Sequence, residues 1–220
     1  MTQNRYFNNF FERNSAAVPD CIIPAAGRSS RMKHWKPALP WKEGTVLTET
    51  VSAALNAGCR VILVGGFRVR ALKRLLGRAR RDGLLPGNAS LVLLRSRRWR
   101  RGMGATLRRG LSAVRSEYFF VLPADMPLVR PEDFQRLLQV LEQMKNAKNS
   151  PQALRPVYRG IPGHPVLIGP RIRKDILASE ADMPFSERLR EYCTVQIDWS
   201  HSGVVDDLDT PEAYSRLKSL

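Results

Sequence analysis

Cysteine is scarce in this chain, and its spacing rules out two ways of building a protein. The three present, Cys21, Cys59 and Cys193, form no CxxC pair and cannot all pair with one another. Cys21 and Cys59 each open an apolar run of strand character, so they read as small buried side chains kept reduced, and a cytoplasmic location is expected. Long apolar stretches are also missing. No run approaches the roughly 18 residues that a membrane helix needs, so no membrane association is expected. Residues 1–19 lack a basic segment followed by an apolar one, so no secretory signal is expected in them. Rich in Asn and carrying Phe7, Phe10 and Phe11, they suit a flexible N-terminal arm better than an additional docking helix. Acids are in short supply, with 20 Asp and Glu against 36 Lys and Arg and a net charge of +16. The deficit is local: residues 60–115 hold sixteen Arg and Lys and one acid, Asp82, while the remainder is close to neutral. Such a block suits an anionic partner, whether a nucleotide, a phosphorylated substrate or nucleic acid, and it equally suits a solvated helix face. Within it the aromatic residues Phe67 and Trp99 are too few for a stacking platform, which argues against a nucleic-acid-binding module.

What is present suits one α/β domain. A chain of 220 residues that is 43% hydrophobic can bury a sizeable core. Short apolar runs at 21–24, 61–64, 91–94 and 118–122 alternate with helical spacing at 45–57, 69–79, 104–114 and 131–144. Strands are expected again at 154–158, 194–197 and then 204–209, with an apolar stretch at 165–168 and a short helix from Pro211. The polar segment 145–152 breaks the rhythm as a surface connection. Uninterrupted apolar strands separated by helices imply a doubly wound, mostly parallel sheet covered on both faces. Ligands of such sheets bind at the carboxyl ends of the strands, so the loops after Ile23, Val64, Leu94 and Leu122 should line the site. Of the basic block, only residues 95–101 follow such an end closely. Arg101, with Arg97 or Arg98, is therefore expected to meet the ligand, whereas Arg74, Arg78 and Arg81 should be solvated surface.

Five segments carry candidate chemistry. Residues 24–32 read Pro-Ala-Ala-Gly-Arg-Ser-Ser-Arg-Met, with Lys36 four residues on. A strand opening into the small residues Ala25, Ala26 and Gly27 leaves backbone N–H groups accessible to phosphates, and Arg31 and Lys36 supply positive charge for a triphosphate. This is neither GxGxxG nor the Walker pattern. Asp125, between Pro123 and Pro127 at the end of a buried strand, is placed to hold Mg²⁺ bridging phosphates. Asp207 and Asp209 alternate and would face one way in an extended chain, so either can complete a metal site. Asp209 is equally a helix cap before Thr210 and Pro211. Residues 160–165 form a glycine-proline loop around His164. Gly102, Gly104 and Thr106 open a helix and can present backbone donors to a ligand.

In this order, the segments 25–32 with Lys36, 39–47, 102–107, 124–127, 160–168 and 207–212 resemble the molybdenum cofactor nucleotidyltransferase family, and within it the cytidylyltransferases, over residues 21–214. The resemblance implies a nucleotide-diphospho-sugar-transferase-like, Rossmann-like single domain over residues 20–220. It implies direct attack of an acceptor phosphate on the α-phosphorus of an NTP, with pyrophosphate leaving and no covalent enzyme intermediate. Positioning and charge neutralisation then supply most of the catalysis. Carried over by motif, Ala25, Ala26 and Gly27 contact the nucleotide, while Arg31, Lys36 and Asp125 form the catalytic set. Asp125 and one of Asp207 and Asp209 hold Mg²⁺. Gly102, Gly104 and Thr106 flank the base, and His164 the pterin side. The implied partners are CTP, a molybdopterin-type phosphate acceptor, and a recipient molybdoenzyme or its maturation chaperone. The Ala-Ala-Gly of the cytidylyl branch replaces the Ala-Gly-Gly usual in the guanylyl branch. A side chain at Ala26 leaves less room near the base, which favours a pyrimidine. Lys33 departs from the family, which usually has Gly after Arg-Met, and this bears on the local loop geometry. Guanylyl transfer, or nucleotidyl transfer to a sugar phosphate on the same scaffold, are the alternatives among enzymes.

Overall fold

A strand whose side chains are apolar on both faces must be covered on both, and the sequence around Cys21 has that character. In the computed structural model, which describes residues 18–30, 32, 34–144, 150–178 and 185–219, Cys21, Ile22 and Ile23 have no exposed surface. The chain runs β1 (Asp20–Ala25), a 3₁₀ turn (Lys36–Ala38), β2 (Pro40–Trp41), β3 (Gly44–Thr45), α1 (Val46–Asn56), β4 (Arg60–Gly65) and α2 (Val69–Arg81). It continues through β5 (Leu91–Arg95), a 3₁₀ turn (Trp99–Arg101), α3 (Met103–Leu111), β6 (Phe119–Val121), α4 (Pro131–Met144), β7 (Ala153–Tyr158), β8 (Ile161–Pro162) and β9 (Val166–Ile168). The last elements are α5 (Pro170–Ala178), α6 (Phe185–Arg190), β10 (Thr194–Asp198), a 3₁₀ turn (Ser202–Val204) and α7 (Pro211–Lys218). The main sheet is ordered β10-β7-β9-β6-β1-β4-β5, with β8 appended to β7, and β2 and β3 pair separately.

Alternation decides which helix covers which face. Cys21, Ile23, Leu63 and Phe120 pack with Leu47 and Val51 of α1, Leu72 and Leu76 of α2 and Phe134 of α4. Ile22, Ile62, Val64 and Phe119 pack on the other side with Leu107 and Leu111 of α3 and Ile172 and Ile176 of α5. The doubly wound α/β domain expected from the sequence is therefore present. β1 pairs parallel with β4 and β6, β4 with β5, and β10 with β7, whereas β9 is antiparallel to both β6 and β7. The carboxyl ends of β1, β4, β5, β6, β7 and β10 consequently share one edge. At the opposite edge, buried Asp20 accepts from Arg60 Nε at 2.6 Å and from the Ser116 backbone N–H at 2.9 Å, tying the starts of β1 and β4 to the turn before β6.

The structure differs from the sequence expectations in three places. Helix α3 stops at Leu111 instead of running to Val114, because Ala113 and Val114 bond back to Gly110 and Leu111 in a tightened last turn. Helices α5 and α6 were not expected: α5 buries only Ile172 and Ile176 of its nine residues, too sparse a stripe to announce itself. Residues 204–209 are not a strand but leave a 3₁₀ turn as irregular chain. The greater part of the N-terminal arm (1–17) and of the polar connection (145–149) lies outside the described residues. Among the described residues no helix is long and apolar enough to cross a membrane.

Candidate nucleotide-binding site

Where β1 ends, the chain turns over the sheet edge and opens two adjoining cavities. The first, about 340 Å³, is lined among others by Ala25, Gly27, Arg28, Ser29, Lys36, Asp125 and Asp209. The second, about 520 Å³, is lined among others by Ala26, Trp99, Arg100, Gly102 and Thr106. Pro24, Gly27, Arg28 and Met103 belong to both, so the two form one continuous cleft. A Cβ on Gly27 would meet nothing within 4 Å, so glycine here leaves the backbone bare to the cleft and relieves no clash.

The loop is tied down by its own polar side chains. Ser29, at φ 59°, accepts the Met32 N–H on its carbonyl at 2.9 Å and the Lys36 N–H on its hydroxyl at 3.1 Å. Lys36 is thereby held in a short 3₁₀ turn, 9% exposed, with its ammonium directed into the first cavity. Its Nζ lies 2.8 Å from Asp125 Oδ2 and 2.6 Å from Asp209 Oδ1. Burial works against the charged ammonium, but the two carboxylates outweigh it and hold the Lys36 pKa above the ordinary lysine value.

The two carboxylates arrive from opposite ends of the sequence. Asp125 follows β6, and its backbone carbonyl accepts the Leu208 N–H at 3.2 Å, which lays the C-terminal segment alongside it. Leu208 is fully buried with Leu39, Trp41, Val46 and Leu217, and this anchor carries Asp209 to Lys36. Thr210 caps α7 by accepting the Ala213 N–H, so the capping role considered for Asp209 falls to its neighbour. Asp207 is exposed and outside both cavities. The alternation that would turn Asp207 and Asp209 the same way does not apply, since the segment is not a strand. Among the described residues no three His, Cys, Asp or Glu cluster as a closed metal cage. A pair of carboxylate oxygens facing an open cavity is a donor set that suits a hard cation such as Mg²⁺, which retains water and phosphate oxygens as its other ligands.

The remaining candidates divide. Ala25 lines the first cavity, Ala26 the second and Gly27 both, while Gly102 and Thr106 line the second. Gly102, at φ 104°, is the N-cap of α3, and Thr106 Oγ1 donates back to its carbonyl at 3.3 Å. Gly104 lines neither cavity, although Met103 and Thr106 of the same helical turn do line the second. Arg101, Arg97 and Arg98 are exposed and outside the lining; Arg100, also exposed, is the member of that run that lines the second cavity. His164 also lies outside both cavities. Its backbone N–H donates to the Val204 carbonyl at 2.7 Å, and its buried Nδ1 has no hydrogen-bond partner among the described residues. Burial, then the nearby Arg155 cation, lowers its pKa to about 4 against a backbone hydrogen bond at Val121, so the imidazole is neutral at pH 7. Arg31 and Lys33 lie outside the described residues. Arg74, Arg78 and Arg81 are exposed on α2, whose buried side is Leu72, Leu76 and Ala79. Sequence reasoning passed over Arg28, Trp99, Arg100 and Met103. Arg28 and Met103 carried a signal, the one lying in segment 24–32 and the other in segment 102–107.

A doubly wound sheet with a bare loop, a buried lysine and two carboxylates at one edge suits the phosphates of a nucleotide and a hard cation. The model of the MobA-like NTP transferase domain matches residues 21–196, and the chain belongs to that family. It is 27% identical over 203 residues to the molybdenum cofactor cytidylyltransferase of Escherichia coli K12, covering 90% of this chain and 95% of that protein. The crystal structure of Rv0371c from Mycobacterium tuberculosis H37Rv superposes with a TM-score of 0.73 at 22% identity, covering 93% of this chain and 100% of the other. The same Rv0371c in complex with manganese gives a TM-score of 0.72 at 21% identity, with the same coverage.

Proposed function

We propose that the protein transfers CMP from CTP to the phosphate of a molybdopterin-type cofactor, with Mg²⁺ as the cation. The observation that carries this reading is the convergence of Asp125 and Asp209 on Lys36, in a cavity continuous with a second one walled by Ala26, Trp99 and Thr106. The second cavity accepts the cytidine and the first its triphosphate. The loop at Ala25–Gly27 offers backbone donors to the phosphates, and Arg31 and Lys36 add positive charge. Asp125 and Asp209 would hold Mg²⁺, which, when bound, supplies neutralisation of the triphosphate and of the departing pyrophosphate. An acceptor phosphate oxygen forms a bond to the α-phosphorus, the α–β bridging P–O bond breaks, and its electron pair leaves with pyrophosphate. The ammonium of Lys36, kept protonated by its two carboxylates, supports the leaving charge without giving up its proton.

Support for the acceptor comes from the curated E. coli relative, and support for a divalent cation from the manganese complex of Rv0371c. The preference for CTP rests on Ala26, 6% exposed in the wall of the second cavity. The test is incubation with molybdopterin-type cofactor, Mg²⁺ and each NTP in turn, reading pyrophosphate. Release with CTP above the other three is expected. Equal or greater release with GTP moves the protein to guanylyl transfer. Release with a sugar phosphate as acceptor and none with the cofactor overturns the acceptor.

A further inference from the structure

The aromatic side chains near the cleft are arranged around arginines from separate parts of the chain. Arg28, from the loop after β1, places its guanidinium 5.6 Å from the Phe67 ring and 5.4 Å from the Trp99 ring. Those rings come from the ends of β4 and β5 and lie 6.0 Å apart, inclined at 49°. Arg100 lies 5.1 Å from the same Trp99. Trp99 has a fixed place. A Cβ on Gly66 would come within 2.5 Å of its Cβ and 2.9 Å of Ala26 Cβ, so the indole sits flush on the Gly66 backbone beside Ala26.

We infer that Arg28 grips the nucleotide, held ready by the Phe67–Trp99 pair to span the base and triphosphate ends of the cleft. This rests on the nucleotidyltransferase reading above and adds a residue to it. Three observations carry the inference. First, among the described residues Arg28 is the one charged side chain common to both cavities, so a nucleoside triphosphate occupying the cleft passes beside it. Secondly, Lys36 already balances two carboxylates, so a triphosphate needs further cations, and Arg28 is an exposed one on the same loop. Thirdly, two aromatic rings order a long side chain before the ligand arrives, which reduces the rotamer entropy lost on binding. A planar guanidinium suits both tasks, resting against rings while its N–H groups address phosphate oxygens. An ammonium does this poorly.

The experiment measures CTP and GTP affinity by calorimetry without acceptor, and then steady-state turnover, for wild type, Arg28→Ala, Arg28→Lys and Phe67→Leu. Because hydrogen bonds to charged groups contribute on the order of a tenfold effect or more, Arg28→Ala should weaken the Kd of the nucleotide about tenfold and raise its KM alike, with kcat changing less than about threefold. Arg28→Lys should recover only part of the loss. Phe67→Leu, which keeps the charge and removes one ring, should weaken affinity about two- to threefold, by the value of a partly exposed cation–π contact. Affinity within twofold of wild type in Arg28→Ala, with an unchanged melting temperature, overturns the inference. So does a defect confined to the KM of the pterin acceptor, which would assign Arg28 to the acceptor phosphate. Wild-type preference for GTP would fail the cytidylyl reading yet leave this test intact, since the loss is read on whichever nucleotide binds.

Discussion

The sharpest test of the site compares two aspartates two residues apart. Asp209 Oδ1 lies 2.6 Å from Lys36 Nζ, and the side-chain exposures are 34% for Asp209, 23% for Asp125 and 11% for Lys36. Asp209→Asn preserves size and removes one of the two charges facing the ammonium. For folding the effect is small, because the pair is partly solvated and Asp125 remains. A loss on the order of 1 kcal/mol is expected, or roughly 2–4 °C in melting temperature for a chain of this length. For turnover the effect is large. A preorganised group acting on developing charge is worth about 100- to 1000-fold in kcat, roughly 2.7–4 kcal/mol, and that term dominates. Asp125→Asn should behave the same way. Asp207→Asn, with its side chain exposed outside the cleft, should stay within about threefold of wild type, roughly 0.65 kcal/mol of barrier. The assay is pyrophosphate release from CTP and cofactor, with manganese binding followed by paramagnetic resonance as a readout independent of turnover. Asp209→Asn and Asp125→Asn should weaken manganese, and Asp207→Asn should not. An Asp207→Asn variant as impaired as Asp209→Asn would refute the geometry, as would full activity in Asp209→Asn.

Three further outcomes follow from other parts of the molecule. Ala26→Gly should shift the CTP/GTP ratio of kcat/KM toward GTP by severalfold, measured by competition between the two nucleotides; an unchanged ratio would remove Ala26 as a determinant. Replacing Arg74, Arg78 and Arg81 together with Gln should leave kcat/KM within about twofold, because surface charges remote from the cleft contribute little through screened solvent; tight oligonucleotide binding that weakens in this variant, without NTP turnover, would instead favour a nucleic-acid module. Asp20→Asn should cost on the order of 3 kcal/mol by leaving Arg60 without its buried partner. Burial raises the Asp20 pKa, but the bonds from Arg60, Ser116 and Arg115 outweigh it and hold it below the usual carboxylate value. The stabilisation is therefore complete above about pH 4, the unfolded carboxylate range, and is lost as pH falls through the folded pKa. Melting curves of wild type and Asp20→Asn should converge only in acid; a constant gap down to the acid limit would contradict this.

The sequence by itself was sufficient for the parts governed by local periodicity and by short spacing. The apolar runs at Ile22, Ile62, Leu93 and Phe120 announce buried parallel strands, and a parallel sheet brings their carboxyl ends to one edge wherever the intervening chain goes. Asp125 and the small loop at Ala25–Gly27 were legible for that reason, since each lies at a strand end or a few residues beyond, whereas Lys36, farther from the end of β1, was legible from its spacing after Met32. What only the tertiary structure decided are contacts between segments far apart in the chain. The choice of Asp209 over Asp207 depends on Leu208 entering a cluster with Leu39, Trp41 and Leu217, and on its N–H reaching Asp125, neither of which alternation along residues 206–209 can foresee. The antiparallel β9 depends on pairing with both β6 and β7, whereas its three apolar residues carry no sign of direction. Arg28 between Phe67 and Trp99 joins three separate strand ends, and Arg100, instead of Arg101, is the member of its 3₁₀ turn that lines the cleft. Composition reveals that cations are abundant between residues 60 and 115. Which of them a ligand can touch is a matter of where the backbone turns, and side-chain packing across the sheet edge sets those turns.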